Sequence, residues 1–121
     1  QEYPRLYVWL TLSRTGQTDA ANKELVDYLQ QRGNTADWFS SVASYLLGRI
    51  SDADLLAAAK SSDKKKENGQ LCEAWFYMGM KKLIGGDKPG ARDCFNKSLA
   101  TNEKDYTEYH FARVELKALR K

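Results

Sequence analysis

The stretch EAWFYMGMKKLIGGDKPGARDCFNKSLA, Glu73 to Ala100, decides the fold. Trp75, Met78, Gly79 and Leu83 recur at three- and four-residue spacing, which marks one face of a helix rather than a strand. Gly85 and Gly86 end that helix, Asp87 caps the next, and Pro89 falls in its first turn. A connection this short predicts an antiparallel helical hairpin. Gly79 and Ala91 are small where two such helices come closest, and Trp75 and Phe95 supply bulk beside them.

The same signals continue on both sides. Leu6, Trp9, Leu10 and Ser13 share a face of a first helix that Pro4 opens and Gly16 closes. Thr18 or Asp19 caps a second, carrying Ala21, Leu25, Tyr28 and Leu29 and ending near Gly33. Thr35 or Asp37 starts a third with Phe39, Val42, Ala43, Leu46 and Leu47; Ser51 or Asp52 caps a short fourth through Leu55, Leu56 and Ala59. A seventh runs from about Lys104 to the end. Between Ser61 and Gln70 the chain reads SSDKKKENGQ, without an apolar residue, and is expected to be a mobile loop. Sustained alternation of apolar and polar residues is absent, so the expected class is all-α with about seven helices.

Residues of similar kind recur at intervals of 35: Trp9, Ser44 and Gly79 within odd-numbered helices, and Gly16, Ser51 and Gly86 at turns. That period belongs to helical-hairpin solenoids. Trp75, Met78, Gly79, Gly86, Ala91, Phe95 and Ser98 reproduce the spacing of the tetratricopeptide repeat. The resemblance implies a right-handed superhelix of antiparallel helices forming one domain over residues 1–121. Its units would be roughly 2–34, 35–70 and 71–104, followed by a capping helix over 105–121 that carries Tyr109, Ala112 and Leu116.

At 121 residues and 13.8 kDa the chain builds one modest core, which excludes a multidomain enzyme. Nineteen Lys and Arg against 16 Asp and Glu leave a net charge of +3, a mild excess that does not require an anionic partner. No apolar run approaches the roughly 20 residues that cross a bilayer. The start at Gln1 rather than Met reads as what is left of a longer or processed precursor.

Chemistry-bearing residues are sparse. Cys72 and Cys94, with one histidine, do not make a four-ligand zinc site, and both are expected as packed, reduced thiols too far apart to bridge. His110, between Tyr109 and Phe111, reads as a surface or groove-lining imidazole rather than a catalytic base. Asp52 and Asp54 are explained by a helix start, and Gly85 with Gly86 follows a helix rather than a strand, so no acid–base pair and no phosphate loop is expected. No cofactor or metal is called for.

From Tyr3 to Leu119 the chain is similar in order and spacing to the C-terminal part of the bacterial new lipoprotein I (NlpI) family. The resemblance is carried by YLLGRIS, Tyr45 to Ser51, and by the run from Glu73 to Leu116. It implies a tetratricopeptide adaptor of the bacterial periplasm or cell envelope, lipid-anchored in its full-length form. Such an adaptor brings envelope proteases and peptidoglycan hydrolases together and often works as a homodimer. Composition alone leaves a cytoplasmic address open.

The leading expectation is a non-enzymatic protein–protein interaction module that takes a peptide or partner protein in a concave groove. The repeat frame turns Leu6, Leu10, Trp38, Tyr45, Phe76, Met80, Tyr109, His110 and Arg113 toward that face; for Phe76 and Met80 a place in the core is equally open. The alternative is a nucleic-acid or anionic-surface binder that uses Lys60, Lys64, Lys65, Lys66, Lys81 and Lys82 as one basic cluster. Nucleic acid is the less expected partner, because the net charge is small and no face alternates arginine with aromatic residues.

Overall fold

The computed structural model describes residues 2–33 and 35–120. All seven regular elements among them are α-helices: α1 (Tyr3–Arg14), α2 (Thr18–Arg32), α3 (Trp38–Leu46), α4 (Asp52–Ala58), α5 (Lys64–Ile84), α6 (Lys88–Ala100) and α7 (Thr107–Leu119). The chain divides into two compact units, Gln1–Ser51 and Asp52–Lys121, so that α3 and α4 fall on different sides of the division.

In the first unit, α1 begins with Pro4 in its first turn, and Gly16, at φ +82°, turns the chain into α2. A side chain could adopt that φ only with strain, which is why glycine stands there. Trp9 Nε1 donates to Asn22 Oδ1 at 2.8 Å, and at the other end Arg5 lies 4.6 Å over the Tyr28 ring. Residue numbers therefore run in opposite directions along the contact, and α1 and α2 form an antiparallel hairpin. Leu6, Trp9, Leu10 and Ser13 are the buried face of α1, as the spacing predicts. Gln17, not Thr18 or Asp19, takes the N-cap position of α2, and no side chain caps it. Asp37 does cap α3, its carboxylate accepting the Ser40 N–H at 3.0 Å. Phe39 then meets Tyr3 and Tyr28 edge-on, with both pairs of ring centroids 5.9 Å apart.

The second unit holds four helices in which sequence neighbours pack together. Lys82 reaches Asp52 at 2.9 Å while Gln70 donates to the Ala59 carbonyl at 3.0 Å, so α4 and α5 are antiparallel. Cys72 faces Ser98, and Gly79 faces Phe95, which makes α5 and α6 antiparallel too. Across α5 and α7, Gly69 meets Tyr106 and Tyr77 meets Glu108, so these two helices run in the same direction. Asp87 accepts the Gly90 N–H at 2.9 Å and Pro89 sits in the first turn of α6, as expected from the sequence.

Two expectations about where helices begin in this unit are corrected. The segment from Ser61 to Gln70 is not a mobile loop: from Lys64 onward it is the first two turns of α5. Asp63 caps it, accepting from Lys65 N and Lys66 N at 3.1 and 3.2 Å, and Glu67 reaches back to the Ser61 N–H at 2.8 Å. Lysine, glutamate and glutamine are strong helix formers, so caps at the start suffice without an apolar stripe. The inward residues here are polar or small and are satisfied individually. Asn68 donates to the Thr101 carbonyl and to Glu103, both at 2.8 Å, while Gln70 takes the Ala59 carbonyl. These carbonyls lie just past the ends of α6 and α4, where the helices leave acceptors open. The second correction is the start of α7, at Thr107 rather than Lys104. Asn102 adopts φ +61°, a left-handed conformation that asparagine tolerates, and redirects the chain before α7 begins.

The core of this unit is built on Phe76, Tyr77, Phe95, Cys72, Ala91 and Ala112, all 1% exposed or less. Phe76 lies 5.0 Å from Tyr77 edge-on and 6.2 Å from Phe95. Full burial of rings of this size contributes on the order of 1.5 to 3 kcal/mol each, so these aromatics are the main anchor of α5 against α6 and α7. Trp75, expected to fill this space, is only half-buried, and its indole instead carries the Lys97 ammonium 4.6 Å above it.

Candidate functional site

Of the residues assigned to a groove, the first unit holds Leu6, Leu10, Trp38 and Tyr45. Leu6, Leu10 and Tyr45 are buried and belong to packing; Trp38, the first residue of α3, is half-buried. In the second unit, Phe76 and Met80 are core residues at 1% and 2% exposure, so neither offers contact area to a partner. The structure does bring together Tyr109, His110 and Arg113 on α7. Tyr109 is half-buried and edge-on to the imidazole at 5.5 Å, while His110 and Arg113 are exposed.

The histidine is engaged on both nitrogens. Nε2 lies 2.6 Å from the Lys104 carbonyl and Nδ1 lies 3.3 Å from Arg113 Nη2. A carbonyl only accepts and a guanidinium only donates, so the tautomer with hydrogen on Nε2 fits both partners. His110 thus ties the start of α7 to the turn before it and braces Arg113. Cys72 and Cys94 are buried and free. Burial raises both thiol pKa values, that of Cys94 to about 11, so neither is a ready thiolate at neutral pH. Among the described residues no group of three or more His, Cys, Asp or Glu is placed to hold a metal ion.

The lysines do not make one cluster. With α5 continuous from Lys64, about sixteen residues separate Lys65 from Lys81, or roughly 24 Å along the axis at 1.5 Å per residue. Lys64 pairs with Glu67 at 3.6 Å, and Lys82 is committed to Asp52, whose hydrogen bond raises the lysine pKa. Burial lowers the pKa of Lys81.

Sequence reasoning overlooked two features. One is Arg32, which ends α2 and ties the first unit together. Its guanidinium bonds Asp37 at 2.7 Å and Ser40 Oγ at 2.9 Å, pairs with Glu2, and lies 4.8 Å over the Phe39 ring. An open cleft of about 540 Å³ lies beside it, lined by Leu29, Gly33, Ala36, Ser40 and Arg49 among others. The other is the outer side of α7, where Phe111 and Val114 are exposed next to a run of basic residues. Spacing at i, i+3 and i+7 is the signal that could have found it.

No protein-family model matches the chain, and no solved structure matches it. Among the described residues no helix is long and apolar enough to cross a membrane.

Proposed function

We propose that this chain is a non-enzymatic protein–protein interaction module built from tetratricopeptide-like hairpins. The observation that carries the reading is the packing of α5, α6 and α7: an antiparallel hairpin closed at Gly79 against Phe95, followed by a helix parallel to the first. Stacked hairpins of this kind expose the same helix of each unit on one face, which suits an extended peptide or a partner helix. Of the residues expected at a partner surface, Trp38 in the first unit and Tyr109, His110 and Arg113 in the second keep accessible surface, each within its own unit. Engagement of both His110 nitrogens and burial of both thiols favour binding over nucleophilic chemistry.

The narrower reading, an adaptor of the bacterial envelope that gathers proteases or peptidoglycan hydrolases and pairs with a second copy, is supported by the resemblance of Tyr45–Ser51 and Glu73–Leu116 to NlpI-type repeats. The test is copurification of a partner on the tagged chain, followed by Trp38→Ala and Tyr109→Ala with helical content monitored. The reading expects the partner to be weakened by roughly 1 to 3 kcal/mol in at least one variant of unchanged fold. Retention at full strength by both variants, with loss on neutralising Lys64, Lys65 and Lys66, would refute it in favour of a basic surface.

A further inference from the structure

We infer that the outer face of α7 docks a helix of a partner protein whose apolar stripe is flanked by carboxylates. The inference rests on the interaction-module reading and names the chemistry of the partner at this part of the molecule.

The inward side of α7 is taken up by Glu108, Ala112 and Leu116, all buried. Phe111, Val114 and Ala118, at i, i+3 and i+7, lie on the exposed side and cover about 60° of its circumference at 3.6 residues per turn. Phe111 is 41% exposed even though its ring lies 6.0 Å from that of Phe76, and Val114 is 60% exposed. Large apolar side chains grouped at such spacing on an outer face are what a facing helix covers. Beside this stripe runs a second at i, i+3, i+7 and i+10: His110, Arg113, Lys117 and Arg120, all exposed.

The basic stripe makes the surface selective. Arg113, Lys117 and Arg120 have no carboxylate partner among the described residues; the one side-chain bond among them joins Arg113 to His110. The helix dipole accounts for cations at the helix end, Lys117 in the last turn and Arg120 at the C-cap, but not for Arg113 in the middle of the helix. An apolar stripe bordered by unpaired cations matches an amphipathic helix with acids along one edge, and like-charged helices would be rejected. The apolar stripe is narrow, so a helix fits this surface better than a lipid bilayer, which takes up wide apolar faces.

The test uses the full chain and two synthetic helices of about five turns with the same leucine stripe, one flanked by glutamates and the other by lysines. Fluorescence anisotropy should give the glutamate helix at least about tenfold tighter binding, a difference of about 1.4 kcal/mol. Val114→Asp should weaken that binding about tenfold or more, and Arg113→Glu combined with Lys117→Glu should reverse the preference. All three positions are exposed, and circular dichroism checks the fold; should Val114→Asp unfold, the charge reversal decides alone. Equal binding of both helices, or no effect of the variants, overturns the inference. So does binding to phosphatidylglycerol vesicles in place of the glutamate helix, which would make the face a membrane surface. If the helices fail while a copurified partner is still lost on Trp38→Ala or Tyr109→Ala, the partner chemistry is wrong and the interaction module stands. If no partner responds to those variants either, the module reading falls with it.

Discussion

The ring of Phe95 occupies the space that a Cβ on Gly79 would need: Cε1 and Cδ1 lie 2.5 and 2.7 Å from the ideal Cβ position. Phe95 is fully buried, so its ring has no free volume to move into. Gly79→Ala gains about 1 kcal/mol of helix propensity, yet overpacking of this kind costs about 1 to 3 kcal/mol and outweighs it. Thermal unfolding should show Gly79→Ala destabilised and Gly79→Leu more so, with Phe95→Leu recovering part of the loss in the double variant. Unfolding of Gly79→Ala at or above the parent temperature would mean that α5 and α6 are not this close.

The two halves of the hairpin differ in how much of this was legible. Spacing at Trp75, Met78 and Gly79 located the helix and the small residue, because periodicity reports burial of one face. It did not identify the ring over Gly79 or show that Trp75 would lie half-exposed under Lys97, because both follow from helix rotation, which packing sets. The stretch from Lys64 to Gln70 was misread because its inward face is made of Asn68, Gly69 and Gln70. Hydropathy sees no face there; the amides are buried by hydrogen bonds to the carbonyls beyond α4 and α6. In the candidate site, proximity of Tyr109, His110 and Arg113 was legible from helical spacing. Burial of Tyr45, Phe76 and Met80 was not, since large apolar and aromatic side chains serve groove and core alike.

Capping by Asp63 is what makes the lysine run helical. Asp63→Ala should remove about 1 kcal/mol of capping free energy and fray the first turn of α5. In limited digestion with trypsin, the parent should resist early cleavage after Lys64, Lys65 and Lys66, and the variant should be cut there sooner. Early cleavage of the parent at those lysines would restore the mobile loop.

Ser13 is 4% exposed, and its hydroxyl has no hydrogen-bond partner among the described residues. A buried hydroxyl without a partner costs about 1 to 3 kcal/mol of desolvation, and alanine also has the higher helix propensity. Ser13→Ala should therefore raise the unfolding midpoint in urea with an unchanged slope. A lowered midpoint would show that the hydroxyl is satisfied in solution.

Burial of the thiols sets their reactivity. With Cys94 at about 11 and Cys72 also raised, a disulfide-exchange reagent near neutral pH should label neither in the native protein. Both should label after unfolding without reductant. The raised value also gives stability that is complete below the ordinary thiol pKa of 9.0 and declines as pH climbs through about 11. Rapid native labelling of Cys94 would show that α6 opens locally.

Arg32 and Asp37 give the first unit a dependence on acid. The hydrogen bond from Arg32, helped by the Ser40 N–H, lowers the Asp37 carboxyl from 3.8 to about 2. In that interval the unfolded chain binds the proton more readily than the folded one, so the contribution is complete above 3.8 and is lost as pH falls through about 2. The Asp37 side chain is 41% exposed and water screens the pair, which brings the expected effect to about 1 kcal/mol. Asp37→Asn preserves a residue that can cap α3 while removing the charge. Urea unfolding of parent and variant should show a stability gap at neutral pH that closes between 3.8 and about 2. Arg32→Lys should narrow the same gap, because lysine supplies neither the planar fork that holds Asp37 and Ser40 together nor the flat surface over Phe39. Parallel pH profiles for parent and Asp37→Asn would place the acid response of this unit in some other carboxylate.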